Sequence, residues 1–195
     1  MEAGPQRNLA KWTITVGVLV IVAASGLCQQ AEMAKDGAKL PTAQGVYQED
    51  GTSTWKLMDK APMPQLKTKG AWAAAFSYGA ASVKAICAFS GPKATNVATN
   101  HPRFLFVAMQ SLISMRDIAI VRLQASKDKR EVQYASARAW SGPKLAYRVE
   151  DLVDFSVQTN ADGSFTVEPK VELQPGEYLL TAGPGCNGRD FTVPK

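Results

Sequence analysis

His101 is the only histidine in this chain of 195 residues, and it limits the chemistry that the sequence can support. A single imidazole excludes zinc sites and hydrolases that need two histidines. With Cys87 it would give a thiol nucleophile, and with a serine and Asp117 a hydrolase triad. Neither arrangement has a local signature such as G-x-S-x-G. We therefore interpret His101 as a surface-loop residue and assign no catalytic residue.

A second group of candidate residues consists of the carboxylates Glu150, Asp151 and Asp154. Two carboxylates about 5–10 Å apart across a cleft can hydrolyse glycosidic bonds. Asp151 and Asp154 together with Asp162 also suggest calcium, but the D-x-D-x-D-G order of a calcium loop is missing. A capped or solvated turn is the simpler interpretation, and no metal site is predicted.

Three glycines near the C-terminus, Gly183, Gly185 and Gly188, spell G-x-G-x-x-G. This pattern binds dinucleotides when a helix begins there and directs its first amides at the pyrophosphate. Residues 189–195 have the pattern of a strand instead. The glycines therefore predict a loop, and no cofactor is predicted.

Charge is distributed unevenly along the chain, whose net charge is +5. Residues 53–149 contain fifteen Lys and Arg against four Asp and Glu, a local charge of +11, whereas residues 150–195 carry −5. A patch for anionic glycans, phospholipid headgroups or wall polymers would consist of Arg103, Arg122, Lys127, Lys129 and Arg130. The alternative is that these cations lie in solvated turns. No nucleic-acid motif is present, so nucleic acid is not predicted as a partner.

Residues 1–28 predict an export segment. Two basic residues precede an uncharged stretch from Trp12 to Ala31, whose first half is almost wholly apolar, as in a secretory signal. Cutting after Gly26 would follow a small-x-small site, whereas Cys28 resembles a lipidated cysteine. An uncleaved membrane anchor is the third alternative, because the uncharged stretch is just long enough to span. We expect an exported protein that is periplasmic, attached to the outer envelope or secreted, and that contacts the membrane only through this segment.

Cys87 and Cys186 are the cysteines that remain beyond the export segment. An oxidising compartment favours a disulfide between them. The alternative is two separate thiols, with Cys87 as a small buried apolar residue. The sequence leaves both alternatives open.

The remainder of the chain predicts an all-β domain. Residues 29–44 lack an apolar period and resemble a tether. From residue 45 to 195, short alternating runs are separated by turn residues, which predicts an antiparallel sandwich or partly open barrel of about eight to ten strands. We expect a hairpin around Glu49-Asp50-Gly51, a loop over residues 59–70, and a strand through Trp72, Ala74, Phe76 and Tyr78.

The C-terminal run Leu173-Gln174-Pro175-Gly176-Glu177-Tyr178, followed by Asp190-Phe191-Thr192-Val193, has the pattern of a closing hairpin. It resembles that of uncharacterised exported bacterial β-sandwich domain proteins. The resemblance covers residues 45–195 and implies the fold and an exported location, but it implies no catalytic residue.

These observations predict a non-catalytic binding or structural module of the bacterial cell envelope. Its partner would be an envelope protein or an anionic polymer. Two alternatives remain open. One is a hydrolase of wall or glycan substrates that uses Glu150 and Asp154, and the other is a periplasmic inhibitor or chaperone-like protein that adds a strand to its partner.

Overall fold

The alternating runs of the sequence form β-strands in the computed structural model. Its described residues are 40–77, 81–109, 115–138, 141–183 and 185–195. Among these residues there are fourteen strands in two sheets and a single α-helix. The chain therefore has the predicted all-β, sandwich-like fold. The export segment, with Gly26 and Cys28, and residues 29–39 of the tether lie outside the described residues.

The smaller sheet has five antiparallel strands. They are β1 (Gly45–Glu49), β2 (Trp55–Leu57), β6 (Phe104–Val107), β11 (Phe155–Thr159) and β12 (Phe165–Pro169), in the order β11-β12-β6-β1-β2. β1 and β2 form the predicted hairpin. The Asp50 carboxylate accepts hydrogen bonds from the backbone N–H groups of Thr52 and Thr54, and Gly51 supplies a positive φ of 81°. This turn therefore fixes the register of the hairpin.

The larger sheet has nine strands. They are β3 (Gln65–Lys69), β4 (Val83–Ser90), β5 (Asn96–Val97), β7 (Ile118–Ala125), β8 (Lys129–Arg138), β9 (Gly142–Leu145), β10 (Leu152–Val153), β13 (Gly176–Ala182) and β14 (Gly188–Val193). Seven of them follow the order β3-β4-β8-β7-β13-β14-β5, while β9 pairs with β8 and β10 pairs with β7. The predicted closing hairpin is the pair of β13 and β14.

The main core lies between the two sheets and contains most of the fully buried aromatic side chains. Phe106 and Phe165 stack at 4.8 Å between ring centroids, and Tyr178 and Phe191 stack at 5.4 Å. The other fully buried side chains of this core include Phe104, Ile120, Val167 and Leu180. Alternate residues of the central strands thus pack inward, as period-2 patterning requires.

The larger sheet curls around its inner face, as two cross-links show. β7 and β13 lie between β8 and β14, so Arg130 and Asp190 would be about 14 Å apart in a flat sheet. Instead, the Arg130 guanidinium donates a hydrogen bond to the Asp190 carboxylate, and both side chains are buried. Cys87 of β4 and Cys186 of the β13–β14 loop form a disulfide, with their Cα atoms 6.3 Å apart. The curled sheet therefore encloses a second core.

The second core contains the disulfide and the ring of Phe89. Its other buried members are Val121, Leu123, Val132 and Leu179.

The buried carboxylate of Glu177 on β13 fixes the segment that joins β4 to β5 through hydrogen bonds. It accepts hydrogen bonds from the Ala94 N–H at 2.8 Å and from the Thr192 hydroxyl at 2.9 Å. The inner face of the curled sheet is thus closed to solvent.

Two local predictions were wrong. The strand expected through Trp72, Ala74 and Phe76 is a helix, α1 (Ala71–Phe76). This run is rich in alanine, which has high helix propensity, and its two aromatic residues are four positions apart, the spacing of neighbours on one helix face. The loop expected over residues 59–70 ends in β3, an edge strand whose residues are mostly exposed and therefore show no apolar alternation. Tyr78 lies outside the described residues. No helix in the described part of the chain is long and apolar enough to cross a membrane.

Replacing both bridged cysteines, by Cys87→Ala with Cys186→Ala, is expected to lower the free energy of unfolding by about 4–5 kcal/mol. The bridge joins residues 99 apart in sequence, so its loss gives conformational entropy back to the unfolded chain. Equilibrium denaturation measures this change. Reduction of the denatured wild-type chain should also expose two additional thiols, and no gain in thiols would contradict the bridge.

Asp190→Ala alone is expected to destabilise the protein by about 3–5 kcal/mol, because it leaves the Arg130 charge buried without a counter-charge. The double variant Arg130→Met with Asp190→Leu removes both charges and should lose less. Denaturant titration of the two variants tests this order. Equal losses would mean that the ion pair does not control the stability of this core.

Candidate anion-binding face

The thiol-nucleophile alternative built on His101 does not assemble. Cys87 is in the disulfide, so it is not available as the thiol partner of His101. The His101 ring instead lies in a half-exposed position with its Nε2 3.1 Å from the Glu168 carboxylate. This contact is a surface ion pair when the ring is protonated.

The carboxylates near residue 150 are occupied by one guanidinium. Arg148 donates two hydrogen bonds of 2.7 Å to Asp151 and lies 3.3 Å from Glu150. The Asp151 hydrogen bond raises the pKa of Arg148 above its usual value. Asp154 is exposed. Asp162 accepts hydrogen bonds from the hydroxyl and N–H of Ser164, which lower its pKa and stabilise the turn before β12.

The five predicted patch residues do not form one patch. Arg130 is 1% exposed and contacts Asp190 inside the curled sheet, so its assignment to a surface patch is corrected. Arg103 is held on the smaller sheet by the Glu49 carboxylate at 3.1 Å and lies 5.8 Å from the Trp55 ring centroid.

The other three patch residues lie on or beside the larger sheet. Arg122 donates to the Pro175 carbonyl at 3.3 Å, and Lys127 is exposed in the β7–β8 turn. Lys129 pairs with Glu131 at 2.7 Å. The sequence therefore identified the basic character of this part of the chain, but it included the buried Arg130 and joined Arg103 of the smaller sheet to residues of the larger one.

A different set of cations occupies the outer face of the curled sheet, which we call the basic face. Strand register places its residues on one side of β3, β4, β8 and β9: Lys67, Lys69, Lys84, Lys129, Arg138 and Lys144, with Glu131 as the single acid. Side chains of paired residues point to the same side of a sheet. The opposite side of β4 and β8 carries Cys87, Phe89 and Val132 of the second core. The cations lie on the other side of the sheet, where Lys69, Lys84, Arg138 and Lys144 are exposed.

One row of the basic face runs straight across four strands. Lys69 is opposite Lys84, Lys84 is opposite Ser136, and Ser136 is opposite Lys144. Like charges directly opposite each other on a sheet repel. Glu131 compensates Lys69 at 3.1 Å, but within the described residues no acidic group pairs with Lys84 or Lys144. The free protein therefore keeps a concentrated positive charge that a bound anion would relieve.

A polar groove of about 410 Å³ lies on this face. Its charged lining residues are Lys84, Arg138, Lys144, Arg148 and Glu150, and serine hydroxyls and Gln133 complete the wall. Arg148 already compensates Glu150. The groove thus presents three exposed cations with hydroxyl donors between them, which is the donor set that phosphate oxygens accept from.

Glu131, the acidic residue of the basic face, interacts electrostatically with two neighbouring lysines. The Lys129 ammonium, and to a smaller extent Lys69, hold the pKa of Glu131 below its usual range. Glu131 therefore remains ionised at mildly acidic pH, and its single negative charge is shared between Lys129 and Lys69. The remaining cations of the face are free to bind an external anion.

Two exposed aromatic side chains lie beside the basic face on α1. The helix lies in the connection from β3 to β4, between the paired residues Lys69 and Lys84 in sequence. Trp72 and Phe76 are 80% and 79% exposed and stack on each other at 6.1 Å between ring centroids. No residue of α1 is buried. The aromatic pair therefore contributes nothing to either core and is available to a partner.

The sequence contained one signal for this face. Val83, Ala85, Cys87 and Phe89 alternate as an inner face, so Lys84 had to point outward. The pairing of β4 with β3, β8 and β9 is non-local, however, and no local pattern reveals it. Comparison with known proteins gives no match among family models, curated proteins or solved structures, so the geometry alone supports a function.

Proposed function

We propose that this protein is an exported, non-catalytic binding module of the bacterial cell envelope that attaches to anionic phospholipid surfaces through its basic face and α1. The observation that carries this proposal is the row of Lys69, Lys84 and Lys144 across the sheet, beside two exposed aromatic rings. Within the described residues, Lys84 and Lys144 have no acidic partner.

The charge of the face supports an anionic partner. Each basic residue near an anionic membrane surface contributes about 1 kcal/mol of binding free energy. Lys84, Arg138 and Lys144 are exposed and lie on one side of the sheet. Their summed attraction is then about 3 kcal/mol, which is enough for reversible association but not for permanent anchoring.

The aromatic pair favours a lipid surface over a soluble polymer. Trp and Phe side chains bind at the interface between headgroups and acyl chains, where an apolar phase accepts their rings. A wall polymer in water offers no such phase. Trp72 and Phe76 leave most of their surface in water in the free protein, so transfer to the interface is favourable.

Two features support an exported location. Residues 12–31 carry no charge and resemble a secretory signal or anchor. The Cys87–Cys186 disulfide is typical of an oxidising compartment. A chain that is exported across or held at a bilayer meets anionic headgroups at short range.

The triple variant Lys84→Gln, Arg138→Gln and Lys144→Gln is expected to bind phosphatidylglycerol-containing vesicles about 100-fold more weakly than wild type, from about 1 kcal/mol per cation. Co-sedimentation of the full chain with vesicles measures the partition. The matched control is Lys56→Gln, Lys93→Gln and Lys170→Gln, which makes the same charge change away from the basic face. Equal losses in both triple variants would contradict a localised binding face.

Glu131→Gln, which removes the only acid of the basic face, should strengthen vesicle binding by up to about tenfold, because one more positive charge is left uncompensated.

Trp72→Ala with Phe76→Ala should reduce the binding that persists at high salt, since salt screens the cations but not the rings. If both aromatic substitutions are neutral, and soluble anionic polymer or nucleic acid competes fully with vesicles, the lipid partner is wrong.

A further inference from the structure

A separate cleft of about 370 Å³ opens between the two sheets, under the loop that precedes β3. Val46 and Phe106 of the smaller sheet form one wall, and Leu180 and Ala182 of β13 form the other. Pro62, Met63 and Pro64 lie over the top. Its volume is within the range of small-molecule sites. The cleft is therefore an apolar space continuous with the main core.

Gly188 lets the floor of this cleft form. It follows the disulfide residue Cys186 and opens β14, where any Cβ would clash with the carbonyl oxygen of Leu180 on β13. The close approach of the two strands brings the next residue, Arg189, to the cleft lining. The glycine predicted to be part of a loop thus has a packing role beside a cation.

Arg189 is the unusual member of the lining. Its Nε is buried and has no hydrogen-bond partner among the described residues. Burial lowers the pKa of the Arg189 guanidinium, and the negative charge of Asp59 opposes this shift more weakly. The side chains of Arg189 and Asp59 form no ion pair within 4.0 Å among the described residues. A buried N–H donor without an acceptor is unfavourable, and more so when the group is charged. A carboxylate bound to this guanidinium would offset its positive charge.

We infer that the cleft binds a small anionic amphiphile, an apolar chain that ends in a carboxylate, with the chain between the sheets and the carboxylate on Arg189. The planar guanidinium matches a carboxylate through two parallel hydrogen bonds. Lys60, exposed at the mouth of the cleft, adds a second positive charge. The apolar walls account for the chain, and the Arg189 guanidinium in the lining accounts for the acid.

This site is independent of the basic face, since none of its lining residues belongs to that face. It differs from the face in chemistry as well: a mainly apolar cleft with a half-buried cation selects single amphiphilic molecules, whereas an open row of cations selects an extended surface. Loss of one activity should leave the other intact.

The test compares decanoate with decanol, which share one chain and differ in the head group. Isothermal titration of the full chain, below the concentration at which decanoate forms micelles, should show that decanoate binds at least about tenfold more tightly, the usual contribution of a hydrogen-bonded charged group. Arg189→Gln should remove this preference and leave decanol binding unchanged, whereas Arg189→Lys should retain part of it.

Two further variants separate the outcomes. Ala182→Phe fills the cleft and should abolish binding of both ligands while Arg189 is intact, so the site is tested even if Arg189→Gln fails to fold. Lys84→Gln, on the basic face, should leave decanoate binding unchanged. Equal affinity of wild type for decanoate and decanol, no binding of either, or binding that survives Ala182→Phe would each overturn the inference.

Discussion

The closure of the larger sheet on itself is the constraint on which the rest of the structure depends. The Cys87–Cys186 disulfide ties β4 to the β13–β14 loop, and the Arg130–Asp190 ion pair ties β8 to β14. These links act between strands that a flat sheet would hold well apart. They enclose a second core on one face of the sheet, while the other face of the central strands packs on the smaller sheet. β7 and β13 are consequently buried on both faces.

Closure of the larger sheet also determines which of its residues lie on the face opposite the second core. Once the inner side of β4 and β8 encloses the second core, the alternate residues of these strands lie on the opposite face. This face carries the cations of β3, β4, β8 and β9 together with the buried Ile86 and Ala88, so the curl turns a period-2 pattern into a charged face. Arg130 belongs to the inner set, and its charge is neutralised by Asp190 rather than displayed. A shift of one residue in register would reverse these roles.

The same closure explains the apolar cleft. The β13–β14 hairpin takes part in both cores, and the disulfide holds its loop against β4. Gly188 brings its strands close enough for Arg189 to line the gap that the smaller sheet leaves open. One hairpin therefore carries a structural cross-link, a buried ion pair and a cation without an acceptor on its Nε. The basic face and the cleft are separate consequences of one topology.

The sequence by itself determined the features that depend on neighbouring residues. Alternation in β4 and β13 and the apolar run of β7 predicted strands, and the turn residues Asp50-Gly51 predicted a hairpin, because turn chemistry and side-chain parity are local. Alternation predicted a strand in the alanine-rich run that forms α1, where the high helix propensity of alanine determines the structure instead. Only the tertiary structure decided whether the two cysteines pair, that Arg130 is buried and that Lys69, Lys84 and Lys144 form one row. These outcomes depend on strand register and on sheet curvature, which are set by contacts between residues far apart in the chain.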